Sequence, residues 1–267
     1  MAVIPPPDVN NTWRLETPGA EGWVRSARPD ADDKFFMASA DGHVQEPGTL
    51  WHERVDEAYH DRLPGIIMMK GGKQAQKTEG FRQPLAIHPV TFEGHDKLRN
   101  QSGRTPEERI ADLALDGVDA EILFPNKGLT MWATADADFS HVMCRAYNDW
   151  AWETFGEHND RLAPMAAIAP GSLENAIPEI QRCADLGFRG VSLPCKPRWG
   201  PPDHEDPNYN LKEFDPLWAC IAETGLPVTF HVSTGRDPRT SRSRGGAVSY
   251  THLTLPTNTV TWGGRGG

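Results

Sequence analysis

The apolar pattern of this chain starts late. Residues 1–33 are rich in Pro, Asp and Gly and carry no apolar period, which predicts an extended arm. The first apolar run, Phe35-Phe36-Met37-Ala38-Ser39-Ala40, has the length of a strand. From Thr105 the pattern becomes rhythmic. Thr105-Pro106-Glu107-Glu108 reads as a capping box with Pro at the first helical position, followed by an apolar face of Ile110, Leu113 and Ala114 and a stop at Gly117. Ala120 to Pro125 is a strand, and a long helix fits Ser140 to about Asn159. Leu162 to Ala169 is the next strand. Ser172 caps a helix carrying Ala176, Ile177, Ile180 and Cys183, which ends at Gly187. Gly190 to Pro194 is a strand, Phe214, Leu217, Trp218, Ile221 and Ala222 form a helical face ending at Gly225, and Pro227 to Val232 is the last strand. These strands are continuously apolar, not alternating, so they belong to a parallel sheet covered by helices. A (β/α) barrel and a doubly wound open sheet both fit. No Gly-rich dinucleotide or phosphate loop follows a strand, which lowers the nucleotide-binding option.

Two regions break the rhythm. Residues 44–104 read as irregular, with a flexible segment from Gly71 to Lys77. A stretch that long is functional or disordered, and this one leaves the C-terminal end of the first strand. It is therefore expected to lid a site there and set substrate choice, with His88 and His95 as loop histidines inside it. Residues 236–267 are rich in Arg, Ser, Thr and Gly and are expected to be disordered. Within them, Val248 to Thr257 resembles the translation of a transposase-type sequencing adapter, so native sequence is expected to end near Ala247 and His252 is left out of any site. The domain reading is an arm at 1–33, a partial barrel at 34–235 and this tail. About five βα units are present, and closing a barrel of eight takes on the order of a hundred residues more.

Composition narrows the function. There are 27 Lys and Arg against 37 Asp and Glu, a net charge of −10. That balance disfavours nucleic acid or an anionic membrane as partner. No apolar run approaches the ~18 residues of a membrane helix, and the start Met1 to Pro7 has no basic and apolar signal pattern. Cys144, Cys183, Cys195 and Cys220 show no CxxC spacing, so reduced, buried thiols and a cytoplasmic location are expected.

The chemistry-bearing residues sit at strand ends. Asp41 and His43 are two apart and therefore share a side of the first strand. His231 lies in the fifth strand, and parallel strands gather their C-terminal ends at one face. One carboxylate with two imidazoles suits a single divalent metal, zinc first, with manganese or iron also fitting. Asp41 as a turn cap, His43 as a loop polar group and His231 as a core histidine are the plainer alternatives.

Ser39 to Pro47 with Leu50-Trp51, then Pro201 to Asn210, Phe214 to Trp218 and Gly225 to His231, together resemble the amidohydrolase-related proteins, and more narrowly the aminocarboxymuconate-semialdehyde decarboxylase branch. The resemblance spans roughly residues 35–247. It implies an α/β fold, a (β/α)8 TIM barrel of the metal-dependent hydrolase type, incomplete here, with one catalytic divalent metal. The family's first-strand motif is His-x-His. Here Asp41 takes the first position, as acidic-x-His variants do, and His231 matches the fifth-strand histidine. The proton-transfer His and Asp of the family have no counterpart in this chain, so the catalytic residues stay unassigned. The implied activity is hydrolysis of a small carboxylated or aromatic substrate through a metal-activated water. Non-oxidative decarboxylation is the alternative, and a fragment without turnover is a third reading. Glu46, Asn126 and His204 are weaker candidates for substrate contact. Lys196 matches no second metal, and Trp51 and Trp132 read as core. A homo-oligomer is implied for the full-length parent.

Overall fold

The computed structural model describes residues 37–81, 83–87, 105–116, 118–198 and 208–231. In chain order, β1 (Ala38–His43) leads to a short helix α1 (Leu50–Arg54) and a meander of β2 (Gly65–Met68), β3 (Gln74–Lys77) and β4 (Leu85–Ala86). Helix α2 (Pro106–Asp116) precedes β5 (Ala120–Phe124), and α3 (Ala137–Phe155) precedes β6 (Leu162–Pro164) and β7 (Ala166–Ala167). Helix α4 (Leu173–Leu186), β8 (Val191–Leu193), α5 (Asp215–Thr224) and β9 (Val228–Phe230) complete the order. Strands β1, β5 and β6 pair in parallel, and so do β7, β8 and β9. Because β6 and β7 are one run interrupted at Met165, the parallel strands form five neighbouring staves in sequence order. This strand–helix alternation is the (β/α) barrel architecture. Among the described residues no helix is long and apolar enough to cross a membrane.

Local chemistry sets the helix boundaries. Thr105 Oγ1 accepts from the Glu108 N–H, as the capping pattern predicts. Helix α3 starts at Ala137, three residues before the expected Ser140, because the Asp136 carboxylate accepts from the N–H groups of Asp138 and Phe139. Helices α4 and α5 end at Gly187 and Gly225 as the sequence predicts.

The expectation of an irregular stretch from residue 44 needs correction. Residues 65–86 form the antiparallel meander, and the segment read as flexible is its hairpin and second strand. Gly71 and Gly72 both have positive φ and turn the chain, with the Met69 N–H donating to the Lys73 carbonyl at 2.7 Å. Its buried face is a single small residue, Ala75, so the alternation of apolar and polar positions is almost silent. The meander is tied down by Arg62, whose guanidinium meets Glu79 at 2.7 Å and Asp136 at 3.0 Å and lies over the Phe139 ring.

Two apolar clusters lie under the helices. One gathers Leu50, Leu123, Phe139, Tyr147 and Leu162 beneath α1 to α3. The other gathers Ile180, Cys183, Val191, Leu193, Leu217 and Ile221 between α4, α5 and β7 to β9. Asn148 of α3 joins them. Its Oδ1 accepts from the Ala167 N–H at 2.7 Å, and its Nδ2 donates to the Ala167 carbonyl at 2.9 Å and to Glu179 Oε1 at 2.8 Å. The amide thus takes the place of a neighbouring strand where the pairing of β5 has run out. Burial pushes the Glu179 carboxyl up, but two hydrogen bonds from Arg182 and one from Asn148 outweigh it and hold the group below its ordinary value.

The arm at 1–33, Phe35 and Phe36, Gly117, His88, His95, His204 and the tail from 236, with its Val248–Thr257 stretch, lie outside the described residues.

Asn148→Ala leaves both backbone groups of Ala167 without a partner, and urea denaturation is expected to show a loss of about 2–4 kcal/mol. The depressed Glu179 gives stability that is present above the unfolded carboxyl's ordinary value of 4.5 and lost as pH falls through the lower folded one. Glu179→Gln should therefore be less stable at neutral pH, and should lose less than the parent between about pH 5 and pH 3.

Candidate metal centre

Strand β1 delivers two ligand-type side chains. Its pairing runs Ala38↔Ala120 and Ser39↔Glu121, then Gly42↔Leu123 and His43↔Phe124. Three steps on β1 match two on β5, so β1 carries one extra residue between Ser39 and Gly42. Asp41 and His43 emerge on the same side. His231 follows the last residue of β9 and meets them at the same end of the sheet. The fifth strand thus ends one residue before His231, which still projects into the group.

The geometry is tight. His231 Nε2 lies 3.0 Å from Asp41 Oδ1 and 3.1 Å from His43 Nε2, and His43 Nε2 lies 3.6 Å from Asp41 Oδ1. The two imidazole rings meet edge-on at 4.8 Å, with the Phe124 ring 5.0 Å from His231. Side-chain exposure grades across the group, from 9% at His231 to 31% at His43 and 73% at Asp41. His43 Nδ1 sits 2.8 Å from the Pro125 carbonyl. A carbonyl only accepts, so Nδ1 carries a proton, and Nε2 is the nitrogen turned to the group. An outer hydrogen bond of this kind fixes the tautomer and raises ligand basicity in metal sites.

These residues fit one divalent ion. Bonds of about 2.0–2.2 Å at angles of roughly 90–120° separate donor atoms by about 3–3.7 Å, the range seen here. Among the described residues this is the one group of three or more His, Cys, Asp or Glu side chains arranged to hold a metal.

The other candidates fall elsewhere. Glu46 does not face the group. It is buried, and its carboxylate accepts from the backbone N–H groups of Asn126, Lys127 and Gly128 at 2.8–3.0 Å, while Lys127 Nζ donates to its carbonyl. Burial pushes its pKa up, and those N–H groups pull it back only in part. Its work is to pin the loop that follows β5, the loop carrying the Pro125 carbonyl. Asn126 contributes its backbone to the same cradle, and its residue is exposed. Trp51 and Trp132 are core, their indole N–H groups bound to the carbonyls of Met143 and Ile168. Lys196 is half-buried past the end of β8, and the Cys195 thiol lies 3.4 Å from the His231 carbonyl.

Sequence reasoning missed Arg109 and Glu121. Arg109 of α2 donates to Glu121 of β5 at 2.6 Å and to the His43 carbonyl at 2.9 Å. A signal was present: Glu121 is a carboxylate in an otherwise apolar strand, and a buried carboxylate needs a partner.

A carboxylate and two histidines gathered at the strand ends of a (β/α) barrel are donor types that suit a divalent metal. The amidohydrolase family model matches residues 51–260, and the chain belongs to that family. No curated protein matches the chain. Among solved structures it is similar to an amidohydrolase from Mycobacterium avium subsp. paratuberculosis, at 17% identity and a TM-score of 0.59, over 84% of this chain and 61% of that one. It is also similar to 5-carboxyvanillate decarboxylase from Novosphingobium aromaticivorans complexed with manganese and 4-hydroxy-3-methoxy-5-nitrobenzoic acid, at 17% identity and a TM-score of 0.53, over 90% of this chain and 64% of that one. The chain thus spans about three fifths of the length of these solved relatives. The likeness is one of fold, and the five staves are consecutive strands of the (β/α)8 barrel.

Glu46→Ala takes the acceptor from three amides. Hydrogen exchange at Asn126, Lys127 and Gly128 is expected to quicken by about tenfold or more, the equivalent of losing a charge-assisted hydrogen bond of roughly 1.5–3 kcal/mol. Unchanged protection there would refute the pinning role.

Proposed function

We propose that Asp41, His43 and His231 hold one divalent metal ion, and that the chain is the metal-carrying part of an enzyme that decarboxylates a small aromatic carboxylic acid. The observation that carries the metal reading is the meeting of three donor atoms from β1 and the end of β9, with His43 Nδ1 turned to the Pro125 carbonyl. Two imidazole nitrogens at 3.1 Å repel unless a cation or a proton stands between them.

The family resemblance implies hydrolysis first, and the solved relatives lend more support to the alternative. A decarboxylase is among them, crystallised with manganese and a hydroxylated, methoxylated nitrobenzoic acid. That supports the carboxy-lyase alternative, with manganese placed ahead of zinc. The donor set of one oxygen and two nitrogens accepts either ion. When bound, the ion would polarise substrate oxygens and offset their charge. The chain's own residues do the holding. His43 offers Nε2, Asp41 offers a carboxylate oxygen, and buried His231 with Phe124 beside it closes the inner side. In the reaction the bond from ring carbon to carboxyl carbon breaks, carbon dioxide leaves, and the ring carbon takes up a proton. The substrate is a small molecule.

The test is metal titration of the chelator-treated protein with Mn²⁺ and Zn²⁺, with carbon dioxide release assayed on hydroxybenzoic acids beside ester and amide hydrolysis. One equivalent is expected to bind. His43→Ala and His231→Ala should each weaken binding by more than the roughly 10–100-fold that an outer partner contributes. A protein that binds no ion would sink the metal reading. Hydrolysis without carbon dioxide release would sink the decarboxylase reading alone.

A further inference from the structure

We propose that Arg109, locked by Glu121, is a positioning residue of the metal centre, which it serves by fixing the backbone of His43. The inference rests on the metal reading above. Arg109 Nη1 donates to the His43 carbonyl at 2.9 Å and Nε donates to Glu121 Oε2 at 2.6 Å, so one guanidinium is held in a single orientation by two acceptors. Both side chains are largely out of water, 14% exposed for Arg109 and 9% for Glu121. The Glu121 carboxyl group also occupies the space beside Gly42, where any Cβ would collide with it. Three features therefore converge on the same short segment. The extra residue of β1 redirects the chain, Gly42 lets β1 lie against Glu121, and Arg109 fixes the carbonyl of the ligand residue itself.

Packing alone does not account for this arrangement. A buried ion pair carries a desolvation penalty, and apolar residues of similar volume often fill such a site as well or better. What apolar residues do not supply is an N–H fixed on the His43 carbonyl. With the Pro125 carbonyl on Nδ1, that donor holds His43 from two directions, backbone and ring. Asp41, one residue before Gly42, takes its direction from the same segment.

The experiment separates positioning from stability. The double variant Arg109→Met/Glu121→Leu replaces the pair by apolar groups and removes the donor to His43. Arg109→Lys keeps a charge against Glu121 without the two-pronged reach. Each is compared with the parent by Co²⁺ titration, by the visible spectrum of the Co²⁺ form and by urea denaturation of the metal-free protein. The expected result is a 10–100-fold loss of Co²⁺ affinity and an altered spectrum in both variants, with metal-free stability retained in at least one. A variant that folds as the parent does and keeps its affinity and spectrum overturns the proposal. A double variant that does not fold leaves Arg109→Lys to decide by the same two readouts. A parent protein that binds no Co²⁺ defeats the metal reading itself, whereas unchanged variants beside a binding parent defeat only the positioning role.

Discussion

Parallel pairing sends every strand toward the same rim, and the centre depends on that constraint. Asp41 and His231 are 190 positions apart in sequence, yet their side chains meet at 3.0 Å. No local signal brings them together. The distance is closed by stacking β1, β5, the β6–β7 run, β8 and β9 in order, with a helix ahead of each stave after the first. The same constraint makes the loops after these strands neighbours, which is why the Pro125 carbonyl reaches the His43 ring and Glu46 reaches the backbone of the loop after β5.

The stack is not uniform. Ladder hydrogen bonds pass from β5 to β6 on one side and from β7 to β8 on the other, with the handover at Met165. Asn148 satisfies Ala167 where the first ladder stops, and Glu179 and Arg182 tie that amide to α4. A buried polar relay thus links two apolar clusters that also meet along β7 and at Trp152 of α3. Such a relay has few permitted geometries, so it fixes how α3 and α4 sit over the staves.

Much of this was legible in the sequence. The five apolar strand runs and the helical faces between them are strong periodic signals, and the pair Asp41 and His43 follows from strand geometry alone. What was hidden depends on contacts between distant elements. Asp136 moved the start of α3 because a carboxylate on free N–H groups outweighs the apolar period. The hairpin at Gly71 and Gly72 was obscured because its buried side is one alanine. Glu46 read as a weaker candidate for substrate contact, and its spacing from His43 says nothing of the three backbone N–H groups some eighty positions away that its carboxylate accepts from. Arg109 looked like an ordinary polar residue of α2, although Glu121 in an apolar strand announced that some cation had to reach it.

The gradient of exposure across the three donors, from buried His231 to open Asp41, gives the centre a direction. Were the proposed ion bound, Asp41 would be the donor most open to water and His231 the one most shielded from it. The oxygen side of the group would then set how readily solvent reaches the ion, and the buried nitrogen side how well it is screened.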